Sequence, residues 1–143
     1  MRAGEVGDAL AGEVVVLAVW YSAVDDVLGP YGDQLDGKIV VDSTNPIDVD
    51  ALEPLRLEAG SAAQEIAVKA PGARVVKAFN TTLAGTLGEG SVAGQPLDVL
   101  IASDDEGAER TVSRIVSEAL GYLHMAIQQP LETNSASTLK VLA

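Results

Sequence analysis

The sequence has no cysteine. Disulfides and thiolate metal sites are therefore excluded. It has one histidine, His124, so no histidine cluster can hold a metal, and no metal site is expected. On a late apolar stretch this residue reads as packed or solvent-facing rather than catalytic. Aromatics are scarce, with one tryptophan, three tyrosines and one phenylalanine. That is too few for the stacking platform a single-stranded nucleic acid needs. Nine basic residues face 21 acidic ones, for a net charge of −12. Such a surface repels nucleic acid and anionic membranes, so neither is expected as a partner. A bound phosphate would need a helix N-terminus or backbone amides. No apolar run approaches the roughly 20 residues that span a bilayer. No basic, apolar, small-residue leader opens the chain, which makes the cytoplasm the expected location. No G-x-S-x-G elbow is found, and no catalytic residue is nominated.

The 143 residues suggest one domain over 1–143. Within it, continuous apolar runs alternate with amphipathic stretches. Val14 to Val19 (VVVLAV) is continuously apolar and rich in β-branched valine, as in a strand buried on both faces of a parallel sheet. Further strands are expected at Lys38 to Ser43, Arg74 to Phe79, Leu97 to Ala102 and, more weakly, Tyr122 to Ile127. Between them, Ser22 is placed to cap a helix carrying Ala23, Val24, Val27 and Leu28, which Gly29-Pro30 ends. Ile47 to Gly60 reads as a long acidic loop. Ser61 and Gln64 form a capping box leading a helix to Lys69. Asn80 to Gly94 reads as a glycine-rich loop with a short helix. Asp104, Asp105 and Glu106 suit a helix start; Ala108, Val112, Ile115, Val116, Ala119 and Leu120 continue at helical spacing, and Gly121 fits its end. The tail from Leu131 to Ala143 is a candidate last helix. Strands alternating with helices predict an α/β fold built on βαβ units with right-handed crossovers. The sheet is expected to be open and mostly parallel, with about five strands and flanking helices.

In such sheets ligands bind beyond the carboxyl ends of the strands. Three ends carry unusual residues: Val19-Trp20-Tyr21-Ser22, Asp42-Ser43-Thr44-Asn45-Pro46 and Lys77-Ala78-Phe79-Asn80-Thr81-Thr82. If their strands are parallel neighbours, all three line one crevice, with aromatic faces, hydroxyls and amides but no acid–base pair. That suits orienting a flat heterocycle, and hydride transfer needs positioning more than proton chemistry. Lys77 is the one cation near the crevice, suited either to a phosphate or carboxylate or to a strand-face salt bridge. Blander readings stand beside these. Trp20 and Tyr21 can simply cover the sheet edge, and Asn45-Pro46 is a common turn pair.

At these strand ends the chain resembles the NADPH-dependent reductases of the deazaflavin coenzyme F-420 and their NADP-binding relatives. The resemblance runs through VVVLAVWYSAVDDVL, GKIVVDSTNPI, SAAQEIAVKAPGARVVKAFNTT and DVLIASDDEGAERTVSRIVSEALG. It implies a partial Rossmann-like fold and NADP as cofactor. Val19, Trp20 and Tyr21 would border the dinucleotide, and Thr44, Asn45 and Pro46 would lie near the nicotinamide. Phe79, Asn80, Thr81 and Thr82 would face a small-molecule second substrate, a deazaflavin or flavin type or a small carbonyl compound. Two departures are evident. Trp20 stands where the family usually has proline. Gly4, Gly7 and Gly12 follow no strand and so do not form the G-x-G-x-x-G turn that opens the family's fold. A chain shortened at that end would leave one edge of the 14–19 strand open, and a homo-oligomer across it, such as a homodimer, is expected. The alternative from another class is a non-catalytic, oligomeric binding or assembly protein that reuses the half-sheet. A third reading is an enzyme with new chemistry in the same crevice.

Overall fold

The computed structural model describes residues 4–119 and 123–126. Its centre is a five-stranded sheet in which spatial order follows chain order. The strands are β1 (Val14–Leu17), β2 (Ile39–Asp42), β3 (Arg74–Ala78), β4 (Asp98–Ala102) and β5 (Leu123–Ala126). β1 pairs parallel with β2 from Val14↔Ile39 to Leu17↔Asp42, and β2 pairs parallel with β3 from Ile39↔Arg74 to Asp42↔Lys77. β4 and β5 are also parallel to each other. The expected open, mostly parallel sheet with flanking helices is the observed one.

One junction differs. β3 and β4 are antiparallel, through Lys77↔Ala102 and Ala78↔Ile101, so the link between them is no βαβ crossover. The reason lies in the connecting segment. Its helix α3 (Ala84–Glu89) buries no residue. A crossover helix needs an apolar stripe to lie on the sheet, and AGTLGE offers none. The segment instead ends in Gly90, left-handed at φ 66°, and a two-residue ladder of Ser91–Val92 with Gln95–Pro96. The chain then turns back into β4.

Strand alternation sends side chains to two cores. Val40 and Val75 face one side. They pack there with Leu17, Val24, Leu28, Leu35 and Ile66 beneath α1 (Val24–Leu28) and α2 (Ala62–Lys69). Ile39, Val41, Val76, Val99 and Ile101 face the other, with Ala108, Val112 and Val116 from α4 (Glu106–Arg114) and the π-helical turn that follows it. By the same alternation Asp42 and Lys77 share the α1/α2 face.

The capping expectations were met unevenly. Asp105 Oδ1 accepts the Ala108 N–H at 2.7 Å and starts α4. Ser61 Oγ accepts the Gln64 N–H at 3.3 Å, but Gln64 Oε1 is buried without a partner, so only half of the box forms. Ser22 is no cap: it sits inside a 3-10 turn, Tyr21–Ala23, and the following α1 starts at Ala23 without a side-chain cap. The acidic loop folds back on itself as a two-residue ladder, Ile47–Asp48 with Glu53–Pro54. Leu120, Gly121, Tyr122, Ile127 and the tail helix lie outside the described residues. His124 is on β5 in register with Val99. Among the described residues no helix is long and apolar enough to cross a membrane, and no group of acidic or histidine side chains could hold a metal.

Two side-chain links tie the α1 region to α2. Lys69 Nζ donates to Asp25, and the Tyr21 hydroxyl donates to Glu65. Burial, and then the Glu65 carboxylate, push the Tyr21 hydroxyl well above its ordinary value of 10.0. A raised folded value means the contribution is complete below the unfolded pKa and is lost as pH climbs toward the folded one, because the unfolded tyrosine ionises first. Tyr21→Phe should therefore melt at lower temperature at neutral pH and lose stability less steeply between about pH 9 and 11, read from thermal melts of both proteins across that range. Asp105→Ala should cost about 1 kcal/mol and Asp105→Ser far less, as expected of a helix cap, measured by the denaturant midpoint.

Candidate functional site

The parallel run of β1, β2 and β3 brings three carboxyl ends to one edge of the sheet, as the sequence suggests. What holds them there is a buried cluster. Asp42 and Lys77 are register partners, and their side chains meet at 2.8 Å as a salt bridge with Asp42 fully buried and Lys77 only 4% exposed. Asp42 Oδ1 accepts both the Thr44 N–H, at 2.8 Å, and the Thr44 hydroxyl, at 2.7 Å. Lys77 Nζ donates to the Thr44 carbonyl as well. Every polar group of Thr44 is thus held by one ion pair. Burial pulls the Lys77 ammonium below the usual lysine value, and Asp42 opposes that pull.

Neighbouring contacts extend the cluster. The Ser43 hydroxyl donates to the Leu17 carbonyl at 2.9 Å and joins the ends of β2 and β1. Asn45 Nδ2 donates to the Asn80 carbonyl at 2.9 Å, and Asn80 Nδ2 returns a longer bond of 3.4 Å to Asn45 Oδ1. These join the ends of β2 and β3. β3 stops at Phe79, which takes a left-handed φ of 66°. That is an uncommon and strained conformation for a residue with an aromatic side chain. It turns Asn80 and Thr81 out of the strand direction.

The edge carries two adjacent clefts rather than the single crevice expected. The first, of about 320 Å³, lies between Val19, Trp20 and Tyr21 on one side and Ser43, Thr44 and Asn45 on the other. Trp20 is 69% exposed and stands at this opening. The second, of about 370 Å³, is bounded by Pro46, Lys77, Asn80 and Thr81 together with residues from the acidic loop and the start of α2. Asn45 and Ile47 line both, so they form the partition. Among the described residues no carboxylate lines either cleft, and Lys77 is the one cation that does. In a chain of net charge −12, that leaves the edge open to polar or anionic ligands.

The expected site residues divide accordingly. Val19, Trp20, Tyr21, Thr44 and Asn45 come together on the first cleft, and Pro46, Asn80 and Thr81 on the second. Phe79 and Thr82 line neither. Phe79 packs against the α4-side core, and Thr82 is half-buried with Oγ1 lacking a partner. Sequence reasoning missed Ile47, Pro54, Leu55 and Leu57, which wall the second cleft from within the loop. Their signal was apolar residues recurring inside an acidic stretch. The sequence places Asp42 at the crevice and offers a salt bridge as one reading of Lys77, but that the two are partners follows only from strand register.

No family model matches the chain. It is 34% identical over 121 residues to the F420-dependent NADP reductase of Methanothermobacter thermautotrophicus, across 79% of this chain and 51% of that protein. It is 36% identical over 113 residues to the metalloreductase STEAP3 of Rattus norvegicus, across 77% of this chain and 21% of that one. Among solved structures, the protein SMa0349 of Sinorhizobium meliloti, described as hypothetical, superposes with a TM-score of 0.76 at 34% identity, over 85% of this chain and 58% of that one. One from Arthrobacter sp. FB24, provisionally named an F420-dependent NADP reductase, superposes at 0.72 and 29% identity, over 86% and 59%. The chain thus spans about half the length of the reductase it matches. By sequence and by its Rossmann-like fold, it is similar to the F420-dependent NADP reductases.

Proposed function

We propose that the two clefts form the reacting end of an NADP-dependent oxidoreductase, which transfers a hydride between NADPH and a deazaflavin, flavin or small carbonyl compound. The observation that carries this reading is the pair of clefts meeting at the partition formed by Asn45 and Ile47. One ring can lie on each side, and no carboxylate among the described residues lines either. The residues of the first cleft suit the nicotinamide end. Asn45 is exposed and has both a donor and an acceptor for a carboxamide. Trp20 offers an aromatic face beside it. Val19, Trp20, Tyr21 and Asn45 would hold that ring, and Thr44 would set the backbone behind it. Bound there, the nicotinamide supplies the hydride. The chain's own part is to orient the rings and exclude water; the ion pair at the edge, Lys77 with Asp42, is buried and holds the Thr44 turn.

The relatives' names support this reading, one as an NADP reductase and one as a metalloreductase. A second reading is favoured by β1. Among the described residues it lies at one end of the strand order and pairs only with β2, and Val16 is 52% exposed. We propose that a second copy covers this edge, as open apolar strand edges invite. In the non-catalytic reading, that assembly is the whole function.

NADPH titrated into the protein should saturably quench Trp20, the only tryptophan, at micromolar concentrations. Asn45→Ala should weaken binding by roughly tenfold, the size of one or two lost hydrogen bonds. No response at millimolar NADPH from a folded protein would remove the oxidoreductase reading. The mass in solution should be that of at least a dimer, and Val16→Lys should lower it. A wild-type monomer would remove the edge pairing.

A further inference from the structure

The second cleft meets a charge at its inner wall. Lys77 lines this cleft, although almost all of its surface is buried. An ammonium has three N–H donors. One goes to Asp42 Oδ2 and another to the Thr44 carbonyl. No third acceptor among the described residues engages it. Nor is the side chain free to choose another position, since leaving Asp42 would strand a fully buried carboxylate. The remaining donor is fixed in place, and the cleft is the space it borders.

The walls around it narrow the class of ligand. Pro46, Ile47, Pro54, Leu55 and Leu57 are apolar, and Asp42 already neutralises the ammonium at 2.8 Å. A carboxylate or phosphate entering here would lose its hydration without meeting net positive charge. A neutral ring carbonyl loses much less water and gains a strong, charge-assisted hydrogen bond.

We propose that Lys77 anchors the second ligand, by holding a carbonyl oxygen of a neutral, planar, conjugated compound in this cleft. The assignment rests on reading that cleft as the acceptor side, and it adds the recognising group and the chemistry recognised. The pair with Asp42 then does two things. It fixes the Thr44 turn behind the first cleft, and it makes the second selective for carbonyl oxygen over carboxylate.

Riboflavin serves as the probe, titrated into the whole protein without NADPH and followed by its own fluorescence, with benzoate as the carboxylate competitor. Wild-type protein should bind riboflavin saturably, and benzoate should not displace it. Asp42→Asn combined with Lys77→Met removes both charges together, so neither is left buried alone. This variant should keep a cooperative melt and bind riboflavin roughly ten- to a hundredfold more weakly, the loss expected of one hydrogen bond from a charged donor. Asp42→Asn with Lys77→Gln restores a neutral donor and should recover part of the affinity; it also decides the matter if the methionine variant does not fold. Absence of riboflavin binding at millimolar concentration, displacement by benzoate, or wild-type affinity in the variants would each overturn the proposal. Riboflavin held through Lys77 by a protein that ignores NADPH would sink the oxidoreductase reading and leave this one standing. NADPH binding with no Lys77-dependent riboflavin binding would do the reverse.

Discussion

The buried pair between Lys77 and Asp42 is the constraint on which the functional edge depends. A buried ion pair is a poor source of net stability, because desolvating two charges costs about as much as their attraction returns. Its value here is geometric. The two residues can meet only if β2 and β3 pair in the observed register, Asp42↔Lys77. A slip of one residue would put the two side chains on opposite faces of the sheet, leaving each buried charge without its partner. The pair therefore links strand register to the position of the Thr44 turn. That turn carries Asn45 into the partition between the two clefts.

The partition gives the edge its two-sided character. Asn45 lines both clefts, and its reciprocal bonds with Asn80, at the end of the neighbouring strand, hold it there. Asn80 is turned toward this contact by the strained Phe79. Such conformations persist only where the surroundings over-determine them, and Phe79 is fixed by packing against the α4-side core. The site thus draws on both cores, with the ion pair on one face and the Phe79 anchor on the other.

Much of the sheet was legible in the sequence, because VVVLAV, KIVVDS, RVVKAF and LDVLIA are apolar runs that only buried strands explain. Most of the edge residues were legible too, since strand ends bearing Trp20, Asn45 and Asn80 are unusual. Three features were not. The reversal of β4 depends on α3 lacking an apolar face, and propensity alone does not separate a crossover from a turn. Ser22 has a good capping side chain, but the preceding Trp20 starts a 3-10 turn one position early. The apolar wall from Leu55 and Leu57 was hidden in a segment whose charge marked it as loop. The reversal of β4 and the cleft wall concern how distant segments meet, and local pattern carries little of that information.

The strand order has a further consequence, for how the chain comes to fold. Every strand of the sheet lies beside its neighbour in sequence, so no segment must wait for a distant partner to arrive. Loop-closure entropy is kept to single connections, which favours rapid and sequential assembly. A chain emerging amino terminus first could lay β2 on β1 and β3 on β2 as each appears. The last of these additions brings Lys77 to Asp42, so the ion pair behind the edge can form before β4 and β5 are in place, while the Phe79 anchor awaits the α4-side core.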